Sequence, residues 1–147
     1  MSIHMASHNL SCLQAVYGNL IIQNTSITNV DGLDNLSVVS GYFSMSWNTT
    51  LSNLTGLQGL SSVGGNLYIQ SNSSLTSLSG LDNLTSVVYF DIADNSKLVD
   101  ISALDVLQGL GFGYFSSNRS GLCANSTQGW QYLLYNDYGI WGNTTCS

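Results

Sequence analysis

Residues 65–87 read Gly-Asn-Leu-Tyr-Ile-Gln-Ser-Asn-Ser-Ser-Leu-Thr-Ser-Leu-Ser-Gly-Leu-Asp-Asn-Leu-Thr-Ser-Val, and the same pattern of apolar and polar positions recurs every 23–24 residues. The other copies occupy residues 18–40, 41–64 and 88–110, and a shortened copy occupies 111–122. A fixed period in this range is typical of solenoids, in which each coil buries its apolar side against its neighbours. The sequence therefore predicts a stack of about five coils.

One copy shows how a coil is built. The segment 66–70 alternates polar and apolar residues, which predicts a strand with Leu67 and Ile69 pointing inward. Two further short sides follow, separated by corners rich in Ser, Asn and Gly. Three sides and three corners predict an all-β solenoid, a right-handed parallel β-helix with strands about 4.8 Å apart. One repeat position should form a continuous buried column of leucines: Leu36, Leu60, Leu84 and Leu107.

The domain organisation follows from the repeat. The chain has 147 residues, and we expect residues 8–147 to form one solenoid domain, with residues 123–147 as its C-terminal cap. Residues 1–7 resemble an expression-vector remnant and are left out of the fold prediction. Hydrophobic residues make up 44% of the sequence, enough to fill a narrow core without a cofactor.

Charge excludes several classes of partner. The net charge is −6, and Lys97 and Arg119 are the only strong bases. Nucleic acids and anionic membranes are bound by basic surfaces, so neither is an expected partner. No apolar run reaches the roughly 18–20 residues of a membrane span, so no membrane insertion is expected.

The titratable residues do not suggest an active site. Asp34, Asp82 and Asp105 share one repeat position, and we interpret them as a solvent-facing polar corner rather than as paired catalytic carboxylates. The sequence contains no phosphate-binding glycine loop, no nucleophile–base signature and no His/Cys metal spacing. We therefore predict that the protein is not an enzyme and needs neither a metal nor another cofactor.

The three cysteines predict one disulfide. Cys123 and Cys146 bracket the non-repeating tail, which a bond between them would staple. Cys12 opens the first coil, either as a buried thiol at the end of the solenoid or as half of a bridge to an absent partner.

Ten of the fifteen asparagines lie in Asn-X-Ser/Thr sequons, which favours a secreted protein carrying glycans. Several of them are aligned at one repeat position together with Asn95, and an amide stacked on itself in successive coils is expected to bond inward to backbone groups. This set comprises Asn24, Asn48, Asn72 and Asn118. Asn35 and Asn83, on the Leu-Asp-Asn-Leu turn, are the better glycosylation candidates.

The repeat Gly-Asn-Leu-x-Ile-x-x-Asn-x-x-Leu-x-x-Leu-x-Gly-Leu-x-Asn-Leu-x-x-Val resembles that of receptor L domains, the modules of epidermal growth factor and insulin receptors, and of related fungal wall proteins. The resemblance covers about residues 10–135. It extends to the end of the domain, where residues 118–123, Asn-Arg-Ser-Gly-Leu-Cys, are followed by Trp130-Gln-Tyr-Leu133. It implies an extracellular domain with a short C-terminal capping helix that carries Trp130. The single cysteine near the start and the tail 135–147 depart from the family pattern.

The outward positions of the first strand carry rings. If Leu67, Ile69 and their equivalents point inward, an aromatic checkerboard with one acidic residue faces outward. Exposed rings on a rigid sheet suit recognition of proteins or glycans, and the resemblance implies that ligand docks on this sheet. We predict a site for an unidentified protein or glycan ligand at Tyr42, Tyr68, Tyr89, Asp91, Phe112 and Tyr114.

Two other functions stay open. Columns of hydroxyl residues on a low-charge solenoid could bind an ice surface, although Ser is mixed with Thr and no strict two-wide threonine array is present. The candidate ice-binding residues are Thr25, Thr28, Thr49, Ser52, Ser73 and Thr76. The third interpretation is a structural spacer of a cell wall or matrix, without a discrete ligand.

Overall fold

A computed structural model describes residues 10–108, 112–116, 118, 134–136 and 139–140, with Phe112 and the last five residues described by their backbone alone. The strands are β1 (Ala15–Val16), β2 (Leu20–Gln23), β3 (Val38–Val39), β4 (Phe43–Ser46), β5 (Ser62–Gln70), β6 (Ser86–Ala93), β7 (Phe112–Ser116), β8 (Leu134–Asn136) and β9 (Gly139–Ile140). Two short 3₁₀ helices span Thr55–Leu57 and Ser102–Val106.

The main side of the solenoid is a parallel sheet in the order β2, β4, β5, β6, β7, β8. Its inward register joins Leu20 to Phe43, Phe43 to Leu67, and Leu67 to Phe90. The described residues make about four turns of a β-solenoid with almost no helix. The all-β solenoid predicted from the repeat is therefore confirmed. After the repeats, the sheet continues into β8, and β9 pairs antiparallel with β8, an extension that the repeat did not predict.

The second side is a narrower ladder that leads each coil into the main sheet. It runs through β1, β3 and the first residues of β5 and β6, so that Val16, Val39, Val63 and Val87 stack in register. In the third and fourth coils this side merges with the main strand, and the register shifts between Val63 and Asn66. Among the described residues, the third side has one isolated parallel bridge, between Ser77 and Asp100, besides the two 3₁₀ helices, and it forms no continuous strand ladder there.

The core contains the leucine column that the repeat predicts. Leu36, Leu60 and Leu84 are completely buried, and Leu107 is 8% exposed. Near the C-terminal end, Phe90 packs edge-on against Phe115, with ring centroids 5.0 Å apart. Gly113 makes room for this packing, because a Cβ atom there would collide with the Phe90 ring.

Asparagine side chains form hydrogen bonds between successive coils at the corner after the main sheet. The Asn72 amide donates to the carbonyl of Met45 (3.0 Å) and accepts from the backbone N–H of Asn48 (3.1 Å), both in the preceding coil. The same bonds recur at Asn95, and Asn48 and Asn118 also donate to the carbonyl one coil back. We call this set the asparagine ladder: Asn48, Asn72, Asn95 and Asn118. Asn48, Asn72 and Asn95 are completely buried, so these three turn inward as the sequence predicts.

Asn24 does not belong to the ladder, so that part of the prediction is wrong. Its N–H donates to the Ser46 carbonyl, just as the N–H of Trp47 donates to Gln70, and Asn24 is exposed. Thr25 occupies the ladder position instead. Its N–H and its hydroxyl both donate to the Asn48 side chain, at 3.2 and 2.7 Å.

The corner residue before the ladder is left-handed in every coil where it is described. Its φ angle is 53° at Asn24, 61° at Trp47, 57° at Ser71 and 57° at Asp94. Asn and Asp tolerate this conformation, whereas a bulky residue there is an outlier. Trp47 is therefore strained, and it is also 61% exposed.

The cysteine predictions have different outcomes. Cys12 carries a free thiol and is exposed, so the interpretation as a buried thiol is wrong. Cys123, Cys146 and the predicted capping helix lie outside the described residues. The disulfide and the helix stay predictions.

Candidate functional site: the tyrosine face

Strand register brings most of the predicted ligand site together. Asn66 pairs with Tyr89, and Tyr89 with Phe112, in one outward row. In the next outward row, Tyr68 pairs with Asp91, and Asp91 with Tyr114. Tyr42, the residue just before β4, joins them. We call this surface the tyrosine face: Tyr42, Tyr68, Tyr89, Asp91, Phe112 and Tyr114. For Phe112 only the backbone position is established.

The four tyrosine rings of the tyrosine face are half-buried rather than fully exposed. Tyr42 and Tyr68 meet edge-to-face, with centroids 6.1 Å apart and planes at 75°. The Tyr68 hydroxyl also accepts a hydrogen bond of 2.6 Å from the Asn66 amide. These contacts fix the orientation of both rings. A ligand can therefore bind to them without the entropy cost of ordering the two side chains.

Asp91 lies between Tyr68 and Tyr114 in the same row. Its Oδ2 accepts a 2.7 Å hydrogen bond from the Gln70 amide. Its Oδ1 is buried and has no hydrogen-bond partner among the described residues. Burial raises the pKa of the Asp91 carboxyl above its ordinary value, the Gln70 hydrogen bond lowers it, and the nearby charge of Asp94 raises it further. A buried oxygen without a hydrogen-bond partner lowers the free energy of unfolding, so Asp91 destabilises the fold at this position.

The Tyr89 phenol belongs to the same electrostatic group. Burial raises its pKa, and the charge of Asp91 and the neighbouring Tyr68 and Tyr114 phenols raise it further. Tyr89 therefore keeps its proton at any physiological pH and can donate a hydrogen bond to a ligand. The four side chains offer one acidic acceptor surrounded by phenols.

Trp47, an exposed aromatic residue at the end of β4, was missed in the sequence. It follows Ser46, the last residue of β4, and the neighbouring Gln70 carbonyl accepts its N–H at 3.0 Å. The signal was present: a tryptophan stands where the other coils have Asn, Ser or Asp, residues that suit a left-handed corner. Strain kept at an exposed position is a reason to suspect a functional role.

The candidate ice-binding residues do not form a single array. Thr28, Ser52 and Thr76 share one exposed column, in which the N–H of Ser52 donates to the Thr28 carbonyl. The Ser52 hydroxyl donates to that carbonyl as well, at 3.0 Å. Thr49 is exposed and Ser73 is half-buried. Thr25 lies at the ladder position, with its hydroxyl bonded to Asn48, so the predicted column through Thr25, Thr49 and Ser73 is wrong at Thr25.

The glycosylation candidates and two of the aligned carboxylates lie on the Leu-Asp-Asn-Leu turn. Asn35 and Asn83 are exposed, and their amides donate to the carbonyls of Ser11 and Gln58 in the preceding coil. The carboxylates of Asp34 and Asp82 accept the backbone N–H two residues earlier, at 3.1 and 2.7 Å. These two carboxylates therefore stabilise turns.

Comparisons of the chain with protein-family models, with curated proteins and with solved structures found no match. In the part of the chain that the structure describes, no helix is long and apolar enough to cross a membrane. The same residues hold no group of three or more His, Cys, Asp or Glu side chains that could bind a metal ion. The site is thus defined by its own geometry, as an aromatic and amide-bearing surface on a β-solenoid.

Proposed function

We propose that the protein is a non-catalytic, extracellular recognition domain that binds a glycan on the tyrosine face. The observation that carries the proposal is the register of the sheet, which stacks Tyr68, Asp91 and Tyr114 in one outward row beside Tyr89. The resemblance of the repeat to receptor L domains supports the same surface, since ligand docks on the corresponding sheet there.

The chemistry of the face favours a glycan over a protein. The cores of protein interfaces are apolar and enriched in Met and Arg as well as in aromatic residues. Here the rings alternate with the amides of Asn66 and Gln70 and with the carboxylate of Asp91. Rings that pack against the C–H face of a sugar, next to amides and a carboxylate that bond its hydroxyls, suit a pyranose.

The charge of the site defines the kind of glycan. Asp91 is acidic, and the whole chain carries a net charge of −6 with only two strong bases. A sulfated or uronic acid polymer would be repelled by this field. We therefore expect a neutral polysaccharide, with the exposed Trp47 at the end of β4 as an additional stacking platform.

The test is binding of neutral and acidic polysaccharides to the wild-type protein and to two variants. Tyr68→Ser combined with Tyr89→Ser should abolish binding while the variant still melts cooperatively, at a somewhat lower temperature because both rings are half-buried. Tyr17→Ser is the matched control, because Tyr17 is 94% exposed and lies outside the tyrosine face. It should bind as wild type does.

Four outcomes would contradict the proposal. They are normal binding by the double variant, binding of acidic polymers alone, capture of a protein ligand without any glycan, and thermal hysteresis of the wild-type protein. The last result would favour the ice-binding function, and a complete lack of ligand would favour the spacer.

A further inference from the structure

The asparagine ladder conflicts with N-glycosylation. Asn48 stands in the sequon Asn-Thr-Thr50 and Asn72 in Asn-Ser-Ser74, yet both side chains are completely buried. Asn118 stands in the sequon Asn-Arg-Ser120 and is partly buried in the same ladder. Sequons that carry glycans are expected at the surface, because the attached sugar is bulky and solvated.

The amide nitrogen that would carry the sugar is already engaged in each case. Nδ2 of Asn48 donates to the Ile22 carbonyl at 2.9 Å. Nδ2 of Asn72 donates to the Met45 carbonyl at 3.0 Å. Nδ2 of Asn118 donates to the Ile92 carbonyl at 2.7 Å. Glycosylation joins Nδ2 to the anomeric carbon of a lipid-diphosphate-linked oligosaccharide. The bond from that carbon to the diphosphate oxygen breaks, and Nδ2 loses one proton. The sugar would then occupy the position of the core and of the preceding coil.

The enzyme that makes this bond acts on the unfolded chain, before burial can protect a sequon. We propose that N-glycosylation at the ladder sequons and folding of the solenoid exclude each other, and that this protein folds out of reach of an asparagine-glycosylating enzyme. The excess of sequons then has a structural origin, because ladder asparagines are followed by corners rich in Ser and Thr. If the domain is extracellular, its export route lacks that enzyme.

The experiment compares the chain, fused to a signal peptide and secreted from yeast, with two triple variants. The ladder variant, Thr50→Ala with Ser74→Ala and Ser120→Ala, removes the three ladder sequons and keeps their asparagines. The control variant, Ser26→Ala with Ser37→Ala and Thr85→Ala, removes the sequons of three exposed asparagines: Asn24, Asn35 and Asn83. All three proteins are also made in the bacterial cytoplasm, where circular dichroism and melting check that each one folds.

We expect the ladder variant to be secreted several-fold better than wild type, and the control variant to be secreted no better than wild type. Peptide mapping should find glycans at ladder positions only in retained, aggregated wild-type chains. The proposal is overturned if wild type is secreted as well as the ladder variant. It is also overturned if secreted, cooperatively melting wild-type protein carries a sugar at Asn48 or Asn72. A ladder variant that fails to fold in bacteria is replaced by Thr50→Val with Ser74→Val and Ser120→Val, judged by the same readouts.

Discussion

The substitution Asn72→Ala removes both hydrogen bonds that the Asn72 side chain makes to the preceding coil. It leaves the N–H of Asn48 without its partner in a completely buried corner, and it removes one hydrogen bond from the Met45 carbonyl, which keeps its place in the β4–β5 ladder. A buried polar group left unpaired costs about 1–3 kcal/mol, and the lost bond to the Met45 carbonyl adds about 0.5–1.5 kcal/mol, so the substitution costs about 1.5–4.5 kcal/mol. The free energy of unfolding of a domain is about 5–15 kcal/mol, so this loss is a large part of it.

The assay is urea unfolding followed by circular dichroism, with melting as a second measurement. At about 2–4 °C per kcal/mol for a chain of this size, Tm should fall by roughly 10 °C. Asn83→Ala is the matched control: its amide also donates to the preceding coil, but it is exposed, so water can replace it. We expect the control to cost less than about 1 kcal/mol. Equal losses in the two variants would refute the idea that burial of the ladder stabilises the stack.

Three further predictions concern the core, the site and the tail. Leu84→Ala should lower the free energy of unfolding by about 2–5 kcal/mol, measured by urea unfolding, because its completely buried site is walled by the coils on either side. Because burial raises the pKa of Asp91, the native state binds its proton more readily than the unfolded chain does, so stability should fall as pH rises from the ordinary aspartate pKa through the raised one. Asp91→Asn should remove this fall, and parallel pH profiles of the two proteins would contradict it. Alkylation without reductant, followed by intact-mass measurement, should modify only one of the three cysteines if Cys123 and Cys146 are bonded, and three modified thiols would disprove the bridge.

The main sheet was predictable because one simple pattern determines it. Alternation of period two along the segment 66–70 assigns Leu67 and Ile69 inward and Tyr68 outward, and each coil repeats the assignment. The pairing of Tyr68 with Asp91 then follows from the 23-residue step between the third and fourth coils. The rows of the tyrosine face therefore needed no tertiary information.

The corners were not predictable from the same pattern. The first coil has one residue fewer between Thr25 and Leu33 than the second has between the equivalent positions, Asn48 and Leu57. In an alignment of the two coils this missing residue is a gap. Matching Asn24 with Asn48 by residue type placed the gap before the ladder position. The hydrogen bonds of Thr25 place the gap after the ladder position. Trp47 was missed for the same reason, since periodicity does not report a left-handed φ angle.

The asparagine ladder also determines the order in which the corners of the solenoid can be completed. Each ladder side chain belongs to the later coil and satisfies backbone groups of the earlier one, as Asn72 does for Met45 and Asn48. A corner is therefore complete only when the coil after it exists. During synthesis, which runs from the N-terminus, the ladder bonds to a coil can therefore form only after the next coil has been made. Loss of coils from the C-terminal end leaves backbone groups of the new last corner without ladder partners, whereas loss from the N-terminal end leaves a ladder amide unpaired, as Asn48 would be without the Ile22 carbonyl.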